Sequence, residues 1–181
     1  MTTIIGIAGA LRRGSYNAAL LAAAAELAPE IQIATIRGIP LYDGDVEAEQ
    51  GIPQVVAELK DRIAAADGVL IATPEYNNSM PGVLKNAIDW MSRPAKDIPR
   101  VWGDKAVVMI GATPGPGGTR LSQTAWLPVL RTLGTRPYFG RSLYVANAAQ
   151  VFDAEGRLVD EKIRKVLGDL VAGFVKFAAT R

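Results

Sequence analysis

Short apolar runs alternate with helix-forming stretches along the whole chain, and this alternation restricts the fold more than any single residue does. Thr3 to Ala8, Gln32 to Ile36, Gly68 to Thr73, Lys105 to Ala112 and Ser142 to Ala146 read as five strands. Gly68-Val69-Leu70-Ile71-Ala72-Thr73 has no polar alternation, the mark of a strand covered on both faces. Between them, Asn17 to Leu27, Pro53 to Ala66, Gly82 to Met91, Thr119 to Leu133 and Asp160 to Ala179 read as helices, the fourth disturbed by Pro128. Residues 37 to 52 and Ser92 to Asp104 read as connections. Asn147 to Gly156 reads as a turn region with a short extra strand at Gln150 to Phe152. Such alternation gives an α/β fold of three layers, a five-stranded parallel sheet with helices on both faces. With strand order 2-1-3-4-5, the switch point falls between strands one and three, where ligands bind beyond the carboxyl ends. No repeat or linker interrupts the pattern, so residues 1–181 are expected to form a single domain.

Composition removes whole classes of chemistry. The chain has no cysteine and no histidine. A disulfide, a thiol nucleophile, a thiolate zinc site and a Ser-His-Asp triad are therefore impossible. No clustered Asp/Glu pattern suggests a magnesium site. Any chemistry is then expected to reside in a bound cofactor. No apolar run approaches a membrane span, and Met1-Thr2-Thr3-Ile4-Ile5-Gly6 lacks a secretory pattern, so a cytoplasmic protein is expected. A net charge of +2, with no basic stripe, argues against nucleic-acid binding.

Two loops stand at the expected switch point. Gly9-Ala10-Leu11-Arg12-Arg13-Gly14-Ser15-Tyr16-Asn17 joins the first strand to a helix N-terminus. Unpaired N–H groups and the helix dipole favour an anion there, and Ser15, Asn17 and Arg12 add donors suited to a terminal phosphate. The same residues also suit a solvated loop in which Ser15 or Asn17 only caps the helix. The loop is neither a Walker sequence nor a GxGxxG fingerprint. The second loop, Pro74-Glu75-Tyr76-Asn77-Asn78-Ser79-Met80-Pro81-Gly82, is stiffened by proline at both ends. Tyr76 suits contact with a flat ring, Asn77 and Asn78 suit its polar edge, and Gly82 permits close backbone approach. Alternatively, the asparagines only form turns. A third loop, Ala112-Thr113-Pro114-Gly115-Pro116-Gly117-Gly118, reads equally as a ligand wall or a flexible connection. Trp90, Trp102 and Trp126 read as packing residues, while Leu84, Ile88 and Trp90 suggest a helix face for subunit contact. Glu75, Lys85 and Asp89 read as solvated or salt-bridged.

Gly9-Ala10-Leu11-Arg12 with Ser15 and Asn17, followed by Thr73-Pro74-Glu75-Tyr76-Asn77 and Pro81-Gly82-Val83-Leu84-Lys85-Asn86-Ala87-Ile88-Asp89-Trp90, resembles the NAD(P)H-dependent FMN reductases, in the branch of bacterial quinone and chromate reductases. The resemblance implies a flavodoxin-like fold holding one non-covalent FMN per subunit. Arg12, Ser15 and Asn17 would hold the phosphate with the amides around Ala10 and Leu11. Pro74, Glu75, Tyr76, Asn77 and Ser79 would lie along the ring, and the third loop, with Thr113, Gly115 and Gly117, would close the far side. A homodimer or homotetramer is implied, with the helix at residues 82 to 91 near its interface. Ala10 and Ala112 stand where the family commonly carries serine, and Pro128 interrupts a helix that is usually continuous.

The implied reaction passes hydride from NAD(P)H to flavin and then electrons to small acceptors: quinones, chromate, ferric chelates, azo compounds or free flavins. Arg12, Arg93 and Arg100 are candidates for attracting anionic acceptors. A flavodoxin-type electron carrier and a module for another phosphorylated ligand are the alternative readings; such carriers are usually strongly acidic, unlike this chain.

Overall fold

The computed structural model describes residues 1–180. Strands β1 (Ile4–Ala8), β2 (Ile31–Ala34), β3 (Gly68–Ala72) and β4 (Ala106–Ala112) form a parallel sheet with β2 at one edge and β1 and β3 adjacent. The other edge carries two short pieces, β5 (Arg136–Pro137) and β6 (Leu143–Val145), both pairing in parallel with β4. The order 2-1-3-4-5 therefore holds, with the fifth position split. The expected fifth strand is β6. β5 was not legible, since two residues including a proline give no periodic signal, and proline is tolerated only at such an edge. Between the two pieces, Tyr138 turns inward and packs against Phe174 and Phe177.

Alternation along the strands separates two cores. Ile4, Leu70, Ala72, Val108 and Ile110 face α1 (Tyr16–Leu27) and α8 (Glu161–Ala179). Ile5, Ile7, Val69, Ile71 and Val107 face α3 (Gln54–Ala65) and α4 (Gly82–Met91). α8 buries a stripe of Leu167, Leu170, Val171, Phe174 and Ala178 and starts at Asp160, whose carboxylate accepts from the Lys162 and Ile163 amides. Proline precedes the first residue of both α3 and α4.

Four local expectations are corrected. Residues expected to be loop contain α2 (Gly44–Gln50), whose Asp43 cap accepts from the Asp45 amide at 2.9 Å; the helix buries no residue, so it left no apolar periodicity to read. The connection after α4 includes a single-turn helix, α5 (Ile98–Val101), with Pro99 in its first turn. The helix expected over 119 to 133 divides at Trp126 into α6 (Arg120–Ala125) and α7 (Leu127–Thr132), with Pro128 in the first turn of α7. Ala148–Gln150 is a 3-10 turn and Phe152 makes one isolated bridge to Leu158, in place of the extra strand.

All three tryptophans are completely buried, as packing residues. Leu84, Ile88 and Trp90 also lie inside, so the helix face expected for subunit contact belongs to the core. The apolar periodicity was correct; only the sheet's position determined what it packs against.

Candidate functional site

The loops after β1, β3 and β4 meet at the carboxyl ends of their strands and enclose a cavity of about 240 Å³. Of the expected residues, Ala10, Arg12, Ser15, Asn17, Pro74, Glu75, Tyr76 and Thr113 line it. Tyr16, Ala112 and Pro114, which belong to the same loops but had no individually expected role at the ligand, complete the wall. Leu11, Asn77, Ser79, Gly115 and Gly117 lie outside this lining. A smaller cleft of about 80 Å³, bordered by Met109, Leu127 and Tyr138, sits beside the middle of β4 rather than at the strand ends.

The first loop presents a helix N-terminus. Ser15 caps α1, its Oγ accepting from the Ala18 amide at 3.3 Å. The first turn of α1 contains no acidic residue, so nothing on the helix cancels the positive end of its dipole. Arg12 donates to the Gly14 carbonyl at 2.7 Å and stands 5.6 Å from the centre of the Tyr16 ring, which keeps the guanidinium beside that helix end. Arg37 donates to the Leu11 carbonyl and braces the loop from outside. Gly9 is required by close approach: an added Cβ would stand 2.7 Å from Leu84 Cδ2 and 3.0 Å from Pro74 Cδ.

Asn17 is placed differently from its expected role as a free donor. It is buried, its Nδ2 donates to the Ala112 carbonyl at 2.8 Å, and its Oδ1 accepts from the Ala112 amide at 2.9 Å. The side chain thus ties α1 to the end of β4. One Nδ2 hydrogen remains for a ligand.

The second loop is a tight hairpin. Tyr76 N donates to Ser79 O at 3.1 Å, and Ser79 N returns a bond to Tyr76 O at 3.0 Å. Asn77 and Asn78, at φ of 50° and 58°, occupy the two left-handed turn positions that asparagine tolerates. They form the turn that is the alternative reading of this pair. Tyr76 remains 45% exposed, so its ring is available at the cavity mouth. An added Cβ at Gly82 would meet no protein atom within 4 Å.

Behind this loop lies a buried polar cluster that the sequence did not announce. Glu75 Oε2 accepts from the Ser122 amide at 3.0 Å and so caps α6, whose own N-cap, Thr119, makes no side-chain capping bond to the helix backbone. Ser122 Oγ donates to the Pro74 carbonyl at 2.8 Å and lies 3.0 Å from Thr73 Oγ1. Trp126 Nε1 donates to Thr73 Oγ1 at 3.1 Å. Thr73, Ser122 and Trp126 are fully buried. No spacing rule links residue 73 to 122; the packing of α6 on β4, next to the end of β3, does.

The third loop is held by the end of β6 and the chain that follows it: the Thr113 amide donates to Val145 O at 2.9 Å, and the Asn147 amide donates to Gly115 O at 3.0 Å. Of the arginines expected to attract anions, Arg93 pairs with Glu47 at 2.8 Å and Arg100 with Asp61 at 2.8 Å, leaving Arg12 at the cavity. The Arg93 guanidinium holds the Glu47 carboxyl below its ordinary range, and Glu47 in turn raises the Tyr42 hydroxyl. Lys85 and Asp89 form the expected ion pair at 2.7 Å. Among the described residues, no group of three or more Asp/Glu is placed to hold a metal, and no helix is long and apolar enough to cross a membrane.

The family model for NADPH-dependent FMN reductases matches residues 2–150. The chain is 44% identical over 167 residues to an NAD(P)H-dependent FMN reductase of Pseudomonas aeruginosa, covering 91% of this chain and 88% of that one. It is 42% identical over 164 residues to a 2-hydroxy-1,4-benzoquinone reductase from a Burkholderia species, covering 89% and 87%. Among solved structures it resembles the FerB flavoenzyme NAD(P)H:(acceptor) oxidoreductase of Paracoccus denitrificans, with a TM-score of 0.87, 35% identity, and coverage of 99% of this chain and 98% of that one.

Proposed function

Because the chain belongs to the NADPH-dependent FMN reductase family, we propose that the cavity at its switch point is the FMN site and that quinones are the principal electron acceptors. The chain is an NAD(P)H-dependent flavin oxidoreductase with FMN as cofactor and NAD(P)H as co-substrate. One observation carries the assignment of the site: the cavity joins an anion-favouring helix end to a wall suited to a flat ring.

The residues fit the group. The uncompensated N-terminus of α1, the Ser15 cap, the Ala10 and Leu11 backbone and Arg12 suit the phosphate. Pro74, Glu75 and the half-exposed Tyr76 suit one side of the ring, with Asn77 and Ser79 supporting that side as a turn. Thr113, Gly115 and Gly117 suit the far side; an added Cβ at 117 would meet no atom within 4 Å and at 115 only Thr113 Oγ1, at 3.8 Å. Asn17 contributes by fixing where the first loop stands against β4.

When bound, FMN supplies the centre that accepts hydride and delivers electrons. This chain's residues bind and orient, and the absence of histidine and cysteine agrees with a protein that supplies position and electrostatics rather than acid–base groups. Quinones rank first among acceptors because relatives carry that activity in their names. Chromate, ferric chelates, azo compounds and free flavins follow as further small oxidants, with Arg12 as the cation at the mouth. Reliance on NAD(P)H suits a cytoplasmic setting. Self-association as a dimer or tetramer is expected through the open groove between α4 and α7, whose apolar floor includes Ile98, Pro128 and Val129.

The test is the absorbance spectrum of the FMN-loaded protein during anaerobic NADPH and NADH titration, followed by quinone addition. Bleaching and reoxidation are expected. A flavin that stays oxidised under excess NAD(P)H would overturn the reductase reading, and a chain that takes up no FMN would overturn the site. Light scattering after gel filtration reads the assembly state.

A further inference from the structure

Three buried side chains behind the cavity are arranged as a directed hydrogen-bond chain. Trp126 Nε1 is a donor only, so Thr73 Oγ1 accepts from it at 3.1 Å. Thr73 and Ser122 then share two hydroxyl protons among three oxygens: their own, 3.0 Å apart, and the Pro74 carbonyl. That carbonyl lies 2.8 Å from Ser122 Oγ and 3.1 Å from Thr73 Oγ1. The Ser122 proton goes to that carbonyl, and Thr73 Oγ1 reaches both Ser122 Oγ and the same carbonyl, so the bonds run from Trp126 through Thr73, directly or by way of Ser122, to Pro74, and each polarises the next. All three side chains are fully buried, so water does not compete for these groups.

The chain of bonds ends on a peptide plane. In a trans peptide the carbonyl and the following N–H point in opposite directions. With the Pro74 carbonyl turned to Ser122 on α6, the Glu75 N–H points away from α6, toward the side on which Pro74, Glu75 and Tyr76 line the cavity. Among the described residues, none accepts from this N–H, whereas the next amide, Tyr76 N, is taken by Ser79 O at 3.1 Å. The Glu75 carboxylate accepts from the Ser122 amide at 3.0 Å and fastens this residue to the same point on α6.

We propose that Thr73, Ser122 and Trp126 are positioning residues whose relay locks the Pro74–Glu75 peptide so that its free N–H is presented to the ligand in the cavity. Through this relay, α6 sets the orientation of a ring-facing donor that it does not itself touch. The proposal rests on the reading of the cavity as the FMN site.

Two substitutions at one position separate a relay from simple packing. Thr73→Val keeps the shape and removes the hydroxyl, whereas Thr73→Ser keeps the hydroxyl and removes a methyl group. A packing role ranks the serine variant as the more damaged; the relay ranks the valine variant so. Two readouts apply. In flavin-free protein, hydrogen exchange of the Trp126 indole N–H is followed by NMR; protection is expected in wild type and Thr73→Ser and is expected to be lost in Thr73→Val. In FMN titrations followed by flavin fluorescence, loss of one fixed donor is expected to raise the dissociation constant of Thr73→Val by about two- to tenfold, with Thr73→Ser near wild type. Wild-type binding of FMN with Thr73→Val unchanged in both readouts would overturn the relay alone. Failure of the wild-type protein to bind FMN would overturn the reading of the cavity, and with it the proposal, even if the indole remains protected.

Discussion

Replacing Gly111 with alanine should unfold the protein at a much lower temperature, because that position is where β4 lets α6 approach the end of β3. An added Cβ would lie 2.0 Å from Thr119 Oγ1, 2.9 Å from Thr119 Cβ and 2.4 Å from the Thr73 carbonyl oxygen. The hydroxyl can rotate away, but the carbonyl belongs to backbone, held where the Thr73 amide donates to Ile110 O at 2.9 Å. An ordinary carbon–oxygen contact needs about 3.3 Å, so, against the 2.4 Å available, the backbone must shift by roughly 0.9 Å. Overpacking of this kind costs about 1–3 kcal/mol. The shift also strains the bonds of Thr73 and of Thr119, which accepts from Gln123 Nε2 at 3.0 Å. Two such bonds add about 0.5–1.5 kcal/mol each. A total near 4 kcal/mol corresponds to a fall in Tm of roughly 8–16 °C for a chain of this size. The assay is thermal unfolding by circular dichroism beside Gly168→Ala. That glycine lies inside α8 with no atom within 4 Å of the added Cβ, and alanine there should stabilise by about 0.5–1 kcal/mol. The double variant Gly111→Ala, Thr119→Ala should stay destabilised, since the Thr73 carbonyl remains in the way. A Gly111→Ala protein melting within about 2 °C of wild type would refute the reasoning, and full recovery in the double variant would show that the hydroxyl, not the backbone, set the limit.

Three further outcomes are expected. Asn17→Ala should cost about 2–4 kcal/mol in urea unfolding, because it strands the buried amide and carbonyl of Ala112; FMN affinity should fall with it, and an unchanged unfolding midpoint would contradict this account. Ala10→Ser should add one phosphate-facing hydroxyl and tighten FMN binding by about two- to tenfold in fluorescence titration, without moving Tm; weaker binding would count against the phosphate end of the site. The buried Lys60 ammonium lies 2.7 Å from Asp97 Oδ2 and, with Arg100, holds that carboxyl below its ordinary value. A depressed folded-state pKa means that the pair stabilises fully above the unfolded carboxyl's value and that this contribution disappears as pH falls through the folded-state value. Asp97→Asn should therefore melt below wild type at neutral pH and converge with it in acid, and a gap that stays constant across that range would be inconsistent with the pair.

Local pattern made the frame legible because its signals act over a few residues. Thr3 to Ala8 and Gly68 to Thr73 could only be buried strands, and Ser15 announced the start of α1 by a cap that needs no distant partner. α2 escaped notice because it buries nothing, and β5 because a two-residue edge strand has no period. The candidate site divides in the same way. Arg12, Ser15, Pro74 and Tyr76 were readable from type and position, whereas the turn role of Asn77 and Asn78 depended on left-handed geometry that asparagine permits but does not require.

The sequence alone determined the three-layer α/β fold, the exclusion of thiol and imidazole chemistry, and the pair of loops that border the site. Tertiary structure decided what those loops are fastened to. Asn17 meets Ala112, Glu75 caps α6, and Trp126 reaches Thr73. These partners lie between 47 and 95 residues apart in the chain. Periodicity and capping rules act within one or two helical turns, so they carry no information about which distant donor will satisfy a buried group. That choice follows only when helices dock on the sheet and every polar atom enclosed between them must find a partner.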